Sequence, residues 1–359
     1  MDKLRILLGN NTLSLLAGSE TWVLTLAKEL KRLGHTVHGF SPELGIISNK
    51  LKDDGIFCFD NISNSGVKPF SFILKEDIIT DYYDIIIANH WNIVEYLRSR
   101  FPITPIISTI HGILYKVKDQ KGIEVNAPEH PALNSGVNQF ISVSEEVSEL
   151  LRKEYNIDSI IIRNFLDCTA KFRKISPKRP KSILFNSNYN LLTDPEVSIL
   201  KQVADHYGAK TLLVGQNFSI TSNIEKAIDE ADIVVGMGRS VLEGVAAGRL
   251  GIVHGRWGTG GVVCPENIEE LKRYNFSGRN AKGKLMTAEE MINEIDKYYN
   301  KENIDWGIKY TKINHNVSIA ATNFLNIAMD LLGKNIKKSE DPILRPYRRS
   351  KDVKPTTDN

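Results

Sequence analysis

Short apolar runs alternate with segments of helical period along most of the chain. LRILL (4–8), TVHGF (36–40), IFCF (56–59), DIIIA (84–88), PIIST (105–109) and FISVS (140–144) read as strands. Between the first two, Trp22, Val23, Leu26, Ala27, Leu30 and Leu33 recur at helical spacing, and Gly34 stands where a helix C-terminus is expected. Nearly continuous Ile and Val runs separated by helices predict parallel sheet covered on both faces. The same grammar restarts after IIIRNFLD (160–167) and the basic, linker-like KFRKISPKRPK (171–181). SILFN (182–186), TLLVG (211–215), DIVVG (232–236) and GIVHG (251–255) follow as strands. NHNVSIAATNFLNIAMDLLG (314–333) reads as one long amphipathic helix.

The pattern predicts an α/β chain of two doubly wound, Rossmann-like parallel-sheet domains facing a cleft. Residues 1–168 form the first, 169–315 the second, and 316–333 a terminal helix. Residues 334–359, rich in Lys and Arg, lack apolar periodicity. They read as a flexible, solvated tail, the competing reading being an arm for weak contact with a membrane surface or a partner.

Composition adds limits. A chain of 359 residues that is 42% apolar and 25% charged can bury two cores. A net charge of +3, with no basic concentration inside a folded segment, gives no case for nucleic acid. Cys58, Cys168 and Cys264 lie too far apart for a metal cluster or a disulfide framework and read as core thiols of a reducing compartment. MDKLRILLGN enters a strand at once without a signal-type apolar region, and no apolar run nears the roughly 20 residues of a membrane span. The expected location is the cytoplasm, at the inner membrane face if the tail holds the protein there.

Ligands of open parallel sheets bind beyond the carboxyl ends of strands. After the first strand, Gly18 and Ser19 open a helix, where Gly18 permits close backbone approach and Ser19 or Glu20 can satisfy free N–H groups. His90 and His111 stand just past adjacent strand ends, each a candidate cleft residue. In the second domain, GMGRSVLEGVAAGR (236–249) leaves a strand through Gly-x-Gly into a helix. It fits an ordinary tight turn capped by Ser240, or an anion site in which helix N–H groups and the Arg239 fork face a phosphate. Backbone donors at Asn186, Ser187 and Asn188, with those from Gly236 to Val241, could cradle a diphosphate. Glu243 could accept sugar hydroxyls, the alternative being a pair with a neighbouring arginine such as Arg249. The first loop lacks the Gly-x-Gly-x-x-Gly spacing of a dinucleotide site, which leaves a nicotinamide oxidoreductase unsupported.

At these residues the chain resembles the GT-B glycosyltransferases, specifically the retaining family 4 type. AGSETWVLTLAKELKRLGHTVHGFSPELG (17–45) is similar to that family's first helix, second strand and following loop. FISVSEEVSELL (140–151) followed by IIIRNFLD is similar to its end-of-domain pattern, in which a Val-Ser-Glu helix start precedes an Asn-x-x-Asp hinge. ADIVVGMGRSVLEGVAAGRLGIVHG (231–255) is similar to its donor-binding strand, helix and next strand, and the helix over 316–333 resembles the segment that crosses back onto the first domain. The resemblance implies transfer of a sugar from a nucleoside-diphosphate sugar to a glycan, lipid-linked or protein acceptor, with retention. The nucleotide sugar is then a substrate, and no separate cofactor is expected. It implies that Gly18 lines the cleft, that His111 stands near the transferred sugar, that Gly238 and the loop Arg239, Ser240, Val241 touch the diphosphate, and that Glu243 binds the ribose.

Two departures bear on mechanism. Where the family carries a first glutamate eight residues before the second, this chain has Val235, and the Arg and Lys that follow the first strand of the second domain are replaced by NSNYNLL (186–192). Arg239, helped by Arg256 or Lys201, is the expected source of the missing charge, and no metal is expected. His111 and Arg239 are therefore the candidate catalytic residues. A sugar-nucleotide epimerase of the same architecture and a non-catalytic nucleotide- or carbohydrate-binding protein remain the alternatives.

Overall fold

The first strand, β1 (Arg5–Gly9), lies at the middle of a sheet because Ile6, Leu7 and Leu8 are apolar on both faces, and all three are buried. The structure, a computed structural model, describes residues 3–60, 82–112, 116–118, 124–126, 136–169, 172, 175, 178–219 and 223–333. Helix α1 (Gly18–Arg32) follows and then β2 (Thr36–Phe40), α2 (Ile46–Asp53), β3 (Phe57–Phe59), β4 (Ile85–Asn89), α3 (Trp91–Arg100) and β5 (Ile106–Ile110). A small antiparallel pair, β6 (Lys116–Lys118) and β7 (Glu124–Asn126), precedes β8 (Gln139–Ser142), α4 (Glu145–Tyr155) and β9 (Ser159–Ile161). The first sheet is parallel throughout, in the order β3-β2-β1-β4-β5-β8-β9.

The second lobe comprises β10 (Ser182–Asn186), α5 (Pro195–Tyr207), β11 (Lys210–Val214), α6 (Ile224–Glu230), β12 (Ile233–Gly236), α7 (Arg239–Ala246), β13 (Leu250–Gly255) and β14 (Gly258–Val262). Helices α8 (Ile268–Arg273), α9 (Ala288–Tyr298), α10 (Lys301–Asn314) and α11 (Val317–Leu331) complete the chain. Its sheet runs β11-β10-β12-β13-β14, and β14 is the one antiparallel member.

Each lobe has its own core. Trp22, Val23, Leu26, Ala27 and Leu30 of α1 pack on the first sheet together with Val317, Ala321, Phe324 and Leu325 of α11. At roughly 1.5–3 kcal/mol for each fully buried large aliphatic side chain, this face holds both helices firmly. In the second lobe α5 and α9 cover one face of the sheet, and α7 and α8 cover the other. Two crossovers join the lobes side by side: the Leu166 N–H donates to the His315 carbonyl (2.7 Å) and the Val317 N–H to the Leu166 carbonyl (2.9 Å).

Several expected boundaries shift. The helix expected over 314–333 breaks at His315–Asn316, because His315 is buried with its Nδ1 on the Asn164 carbonyl (2.6 Å) and Asn316 turns its side chain to cap α11 at Ser318 N (3.0 Å). The strand read over 140–144 ends at Ser142, since the Ser144 hydroxyl accepts the Val147 N–H and starts α4. Of the run IIIRNFLD only Ile160 and Ile161 lie in a strand, β9, and the rest is crossover. Cys58 and Cys168 are half-buried, Cys264 is buried and all three are free thiols; burial pushes Cys58 up to about 12 and Cys168 to about 11, so neither is a reactive thiolate. Among the described residues no helix is long and apolar enough to cross a membrane. The expected tail over 334–359, most of the loop 112–136 and much of the linker lie outside the described residues.

Candidate functional site

Strand order reverses between β1 and β4 in the first sheet and between β10 and β12 in the second, and such switch points open a crevice at the carboxyl edge. The candidate residues sit at both. At the first, Gly18 is the exposed first residue of α1, where an added Cβ would meet no atom within 4 Å. Ala17, not Ser19, holds the cap position and gives no side-chain cap; Ser19 Oγ instead donates to Glu20 Oε2 (3.1 Å). Glu20 is 5% exposed, burial raises its carboxyl above the ordinary range, and its own N–H, Ser19 and the nearby His90 oppose that shift. His90 sits at φ 66 at the end of β4, a conformation that L side chains rarely adopt and that costs on the order of 1–3 kcal/mol. Beneath it Asn89 Nδ2 donates to Asn10 Oδ1 (3.1 Å), a fully buried amide pair that ties the ends of β4 and β1 together. His111, past β5, meets the Trp22 ring edge-on at 5.2 Å.

At the second switch point the chain leaves β12 through two glycines. A Cβ on Gly236 would lie 2.9 Å from the Asn186 carbonyl, and Gly238 has φ 57, ψ −124. Gly238, rather than Ser240, caps α7. Its N–H is already given to the Phe276 carbonyl (2.7 Å), and the Ser240 N–H goes to the Met237 carbonyl (3.2 Å), which corrects the expectation that both face a phosphate. Among the described residues the Arg239 and Val241 N–H groups have no backbone acceptor.

Arg239 reaches out of its lobe. Nη1 donates to the Phe165 carbonyl, Nη2 to Thr25 Oγ1 (3.3 Å) and to Glu243 Oε1 (3.3 Å), and Nε has no acceptor among the described residues. Its side chain is 9% exposed and that of Glu243 25%. Burial pushes the Glu243 carboxyl up and the Arg239 guanidinium down, and each partner opposes the other's shift. The alternative partner, Arg249, is instead fully buried against Asp229 (3.2 Å) and the Ile228 carbonyl (2.9 Å).

The loop after β10 differs from expectation. Ser187 spends its N–H on the Val214 carbonyl (3.0 Å), its hydroxyl donates to Asn190 Oδ1 (2.8 Å) and also receives the Asn190 N–H, and Asn188 Oδ1 accepts the Gln216 N–H (3.2 Å). This turn satisfies itself, so the donors expected of Ser187 are committed; Asn186 closes β10, its carbonyl beside Gly236. Arg256 lies past β13 with its guanidinium carbon 4.9 Å from the centre of the Tyr189 ring and 4.3 Å from that of the Trp257 ring, two cation–π contacts beside this loop. Lys201 is exposed midway along α5. Neither shares a hydrogen-bond partner with Arg239 among the described residues.

Three groups were not singled out from the pattern. Thr25 and the Phe165 carbonyl belong to the first lobe and grip Arg239. Asn164 Nδ2 donates to Asn275 Oδ1 (2.9 Å) across the hinge, and Asn275 and Phe276 both have positive φ, 53 and 54. The Asn-x-x-Asp hinge and the NFSGRN turn (275–280) carried faint signals of that bridge; nothing local marked Thr25. Along one flank α4 offers Glu146 and Glu149 to Arg279 and Arg273 of the second lobe.

A parallel sheet, a second sheet parallel except for β14, and a terminal helix packed on the first lobe match known structures. A glycosyltransferase from Rickettsia africae ESF-5 aligns over 93% of this chain and 100% of its own, with a TM-score of 0.59 and 16% identity. HepE of Anabaena, solved with UDP and glucose, aligns over 91% and 100%, with a TM-score of 0.61 and 12% identity. The fold is GT-B. Another GT-B neighbour is sucrose-phosphate synthase of Thermosynechococcus elongatus, with a TM-score of 0.57, 12% identity and coverage of 93% and 100%. Residues 16–170, most of the first GT-B lobe, match the family model for Glycosyltransferase Family 4. No curated protein matches the chain by sequence.

Proposed function

We propose that this protein transfers a sugar from a nucleoside-diphosphate sugar to an acceptor hydroxyl with retention and without a divalent metal. The observation that carries the proposal is convergence. His111 of the first lobe packs on Trp22, whose ring lies 5.0 Å from Phe165, and Phe165 supplies the carbonyl that holds Arg239 of the second. One aromatic layer thus organises a histidine and an arginine from opposite lobes, at the edges where parallel-sheet ligands bind.

The chemistry divides between lobes. In the second, the Arg239 and Val241 N–H groups, the positive end of α7 and the guanidinium draw the diphosphate charge that develops as the C1–O bond breaks. Glu243, a quarter exposed beside Arg239, accepts ribose hydroxyls. In the first, His111 stands over the transferred sugar, and Gly18, Ser19 and His90 border the space the acceptor enters. The acceptor oxygen forms its bond to C1 on the face the diphosphate leaves, and its proton passes to a departing phosphate oxygen. A neighbour of the same fold was solved with UDP, so uridine nucleotides are the first donors to test. The acceptor is a glycan, a lipid-linked sugar or a protein, met in the cytoplasm or at the inner membrane face.

Thermal-shift and calorimetric titration with UDP and UDP-sugars tests the reading. Arg239→Ala should lose nucleotide affinity, whereas His111→Ala should keep it and lose turnover. An Arg239→Ala protein that binds donor like the parent sinks the proposal, and interconversion of the nucleotide sugar without any acceptor points to an epimerase instead.

A further inference from the structure

We infer that Thr25 of the first lobe aims Arg239 of the second, so that bringing the lobes together assembles the anion-binding fork. The inference rests on the assignment of Arg239 to the diphosphate. Thr25 Oγ1 gives its proton to the Thr21 carbonyl one turn back (2.7 Å), and its lone pairs then take a proton from Arg239 Nη2 (3.3 Å). The Phe165 carbonyl takes one from Nη1. Two of the three groups that hold the guanidinium therefore belong to the opposite lobe, 214 and 74 residues away in sequence. The third, Glu243, is four residues along the same helix and shares Nη2 with Thr25.

The consequence is a charge that depends on lobe position. With the first lobe withdrawn, the guanidinium keeps only Glu243, an ordinary i,i+4 helical pair whose charges cancel. With it in place, Thr25 and the Phe165 carbonyl share the guanidinium with Glu243 and fix its orientation. They hold it 9% exposed, with Nε–H buried and unpaired among the described residues, a polar group whose lost hydrogen bond favours any rearrangement that brings an acceptor to the guanidinium. Thr25 is thus a positioning residue, acting on the phosphate through Arg239.

The test is calorimetric titration of the full chain with inorganic pyrophosphate and with UDP, for the parent, Thr25→Val, Thr25→Ser, Arg239→Ala and the Thr25→Val/Arg239→Ala double variant. Thr25→Val keeps the shape and removes the lone pairs; it should weaken both ligands about three- to tenfold, the span of one net hydrogen bond. Thr25→Ser should restore affinity to within about twofold of the parent. In the Arg239→Ala background the Thr25 change should cost nothing further, a non-additivity that a merely structural role would not give. If Thr25→Val fails to fold, Thr25→Ala carries the test. If Arg239→Ala weakens binding while Thr25→Val matches the parent, or if the two losses add in full, the inference is overturned and the diphosphate reading stands. Parent-like binding by Arg239→Ala, or no binding of either ligand by the parent, overturns both.

Discussion

Gly244, in the second turn of α7, lies against the middle of β12. A methyl group there would fall 2.4 Å from Val234 Cβ and 2.7 Å from its Cγ2, whereas carbon atoms rest at about 3.5–4.0 Å. Val234 is fully buried and cannot swing aside. By helix propensity alone Gly244→Ala should gain about 1 kcal/mol. Relieving an overlap of about 1 Å requires the helix to lift or the strand to bend, which costs about 1–3 kcal/mol and sometimes more. The expected net is a loss of up to about 2 kcal/mol, and a Tm lower by up to about 3 °C for a protein of this size. Urea unfolding followed by circular dichroism measures it. Val234→Ala alone should cost about 2 kcal/mol, yet the double variant should be more stable than the sum of the two predicts by about 1 kcal/mol or more, because the smaller strand residue makes room. Arg239 and Glu243 ride on the same helix, so Gly244→Ala should also weaken pyrophosphate binding. A more stable Gly244→Ala protein, or strict additivity, would refute the claim that α7 is seated by direct contact between its backbone and the sheet.

Other consequences are checked as simply. Glu146 and Arg279 are 17% and 15% exposed and meet through paired contacts of 2.9 Å, whereas Glu149 and Arg273 are 60% and 46% exposed. Glu146→Gln should therefore cost about 1.5–3 kcal/mol and loosen the lobes in small-angle scattering, while Glu149→Gln costs under about 1 kcal/mol; equal effects would contradict this ranking. His254 is fully buried between Thr259 and the Glu196 carbonyl, and burial lowers it to about 4. The unfolded chain takes up a proton near the ordinary value of about 6.5 that the folded chain refuses, so stability present above pH ~6.5 falls as pH drops toward about 4, by on the order of 3 kcal/mol. His254→Gln should flatten that slope in denaturant midpoints measured between pH 7 and 4.5, and an unchanged slope counts against it. Because helix N–H groups and Arg239 supply the positive charge, sugar transfer should proceed undiminished in excess EDTA; loss of turnover restored by added magnesium or manganese would show that a metal does this work.

Period and apolar continuity are local properties, and they were legible. Both faces of a central parallel strand are buried, so β1, β4, β10 and β12 had to appear as unbroken apolar runs. The Gly-x-Gly start of α7 was visible for the same reason, because one residue's φ demands it. β14 escaped notice because GTGGV, an edge strand with three glycines, has no apolar pattern to show. The break before α11 was hidden in a continuous amphipathic period, since the Asn164 carbonyl that holds His315 lies 151 residues away.

The candidate site divides along the same line. Sequence alone determined which residue types stand at the carboxyl ends of strands, because where a strand ends and a loop begins is read from the chain's own alternation, whereas the order of strands in each sheet came from the structure. Only the tertiary structure decided what those residues do with their hydrogen bonds. It gave Arg239 to Thr25 and Phe165 rather than leaving it a free fork, and gave Arg249 to Asp229 rather than to Glu243. It also gave the N–H groups of Ser187 and Gly238 to the carbonyls of Val214 and Phe276, distant in sequence. A guanidinium carries five donors and will satisfy them with whatever acceptors arrive. Which acceptors arrive is set when two lobes far apart in sequence are brought face to face.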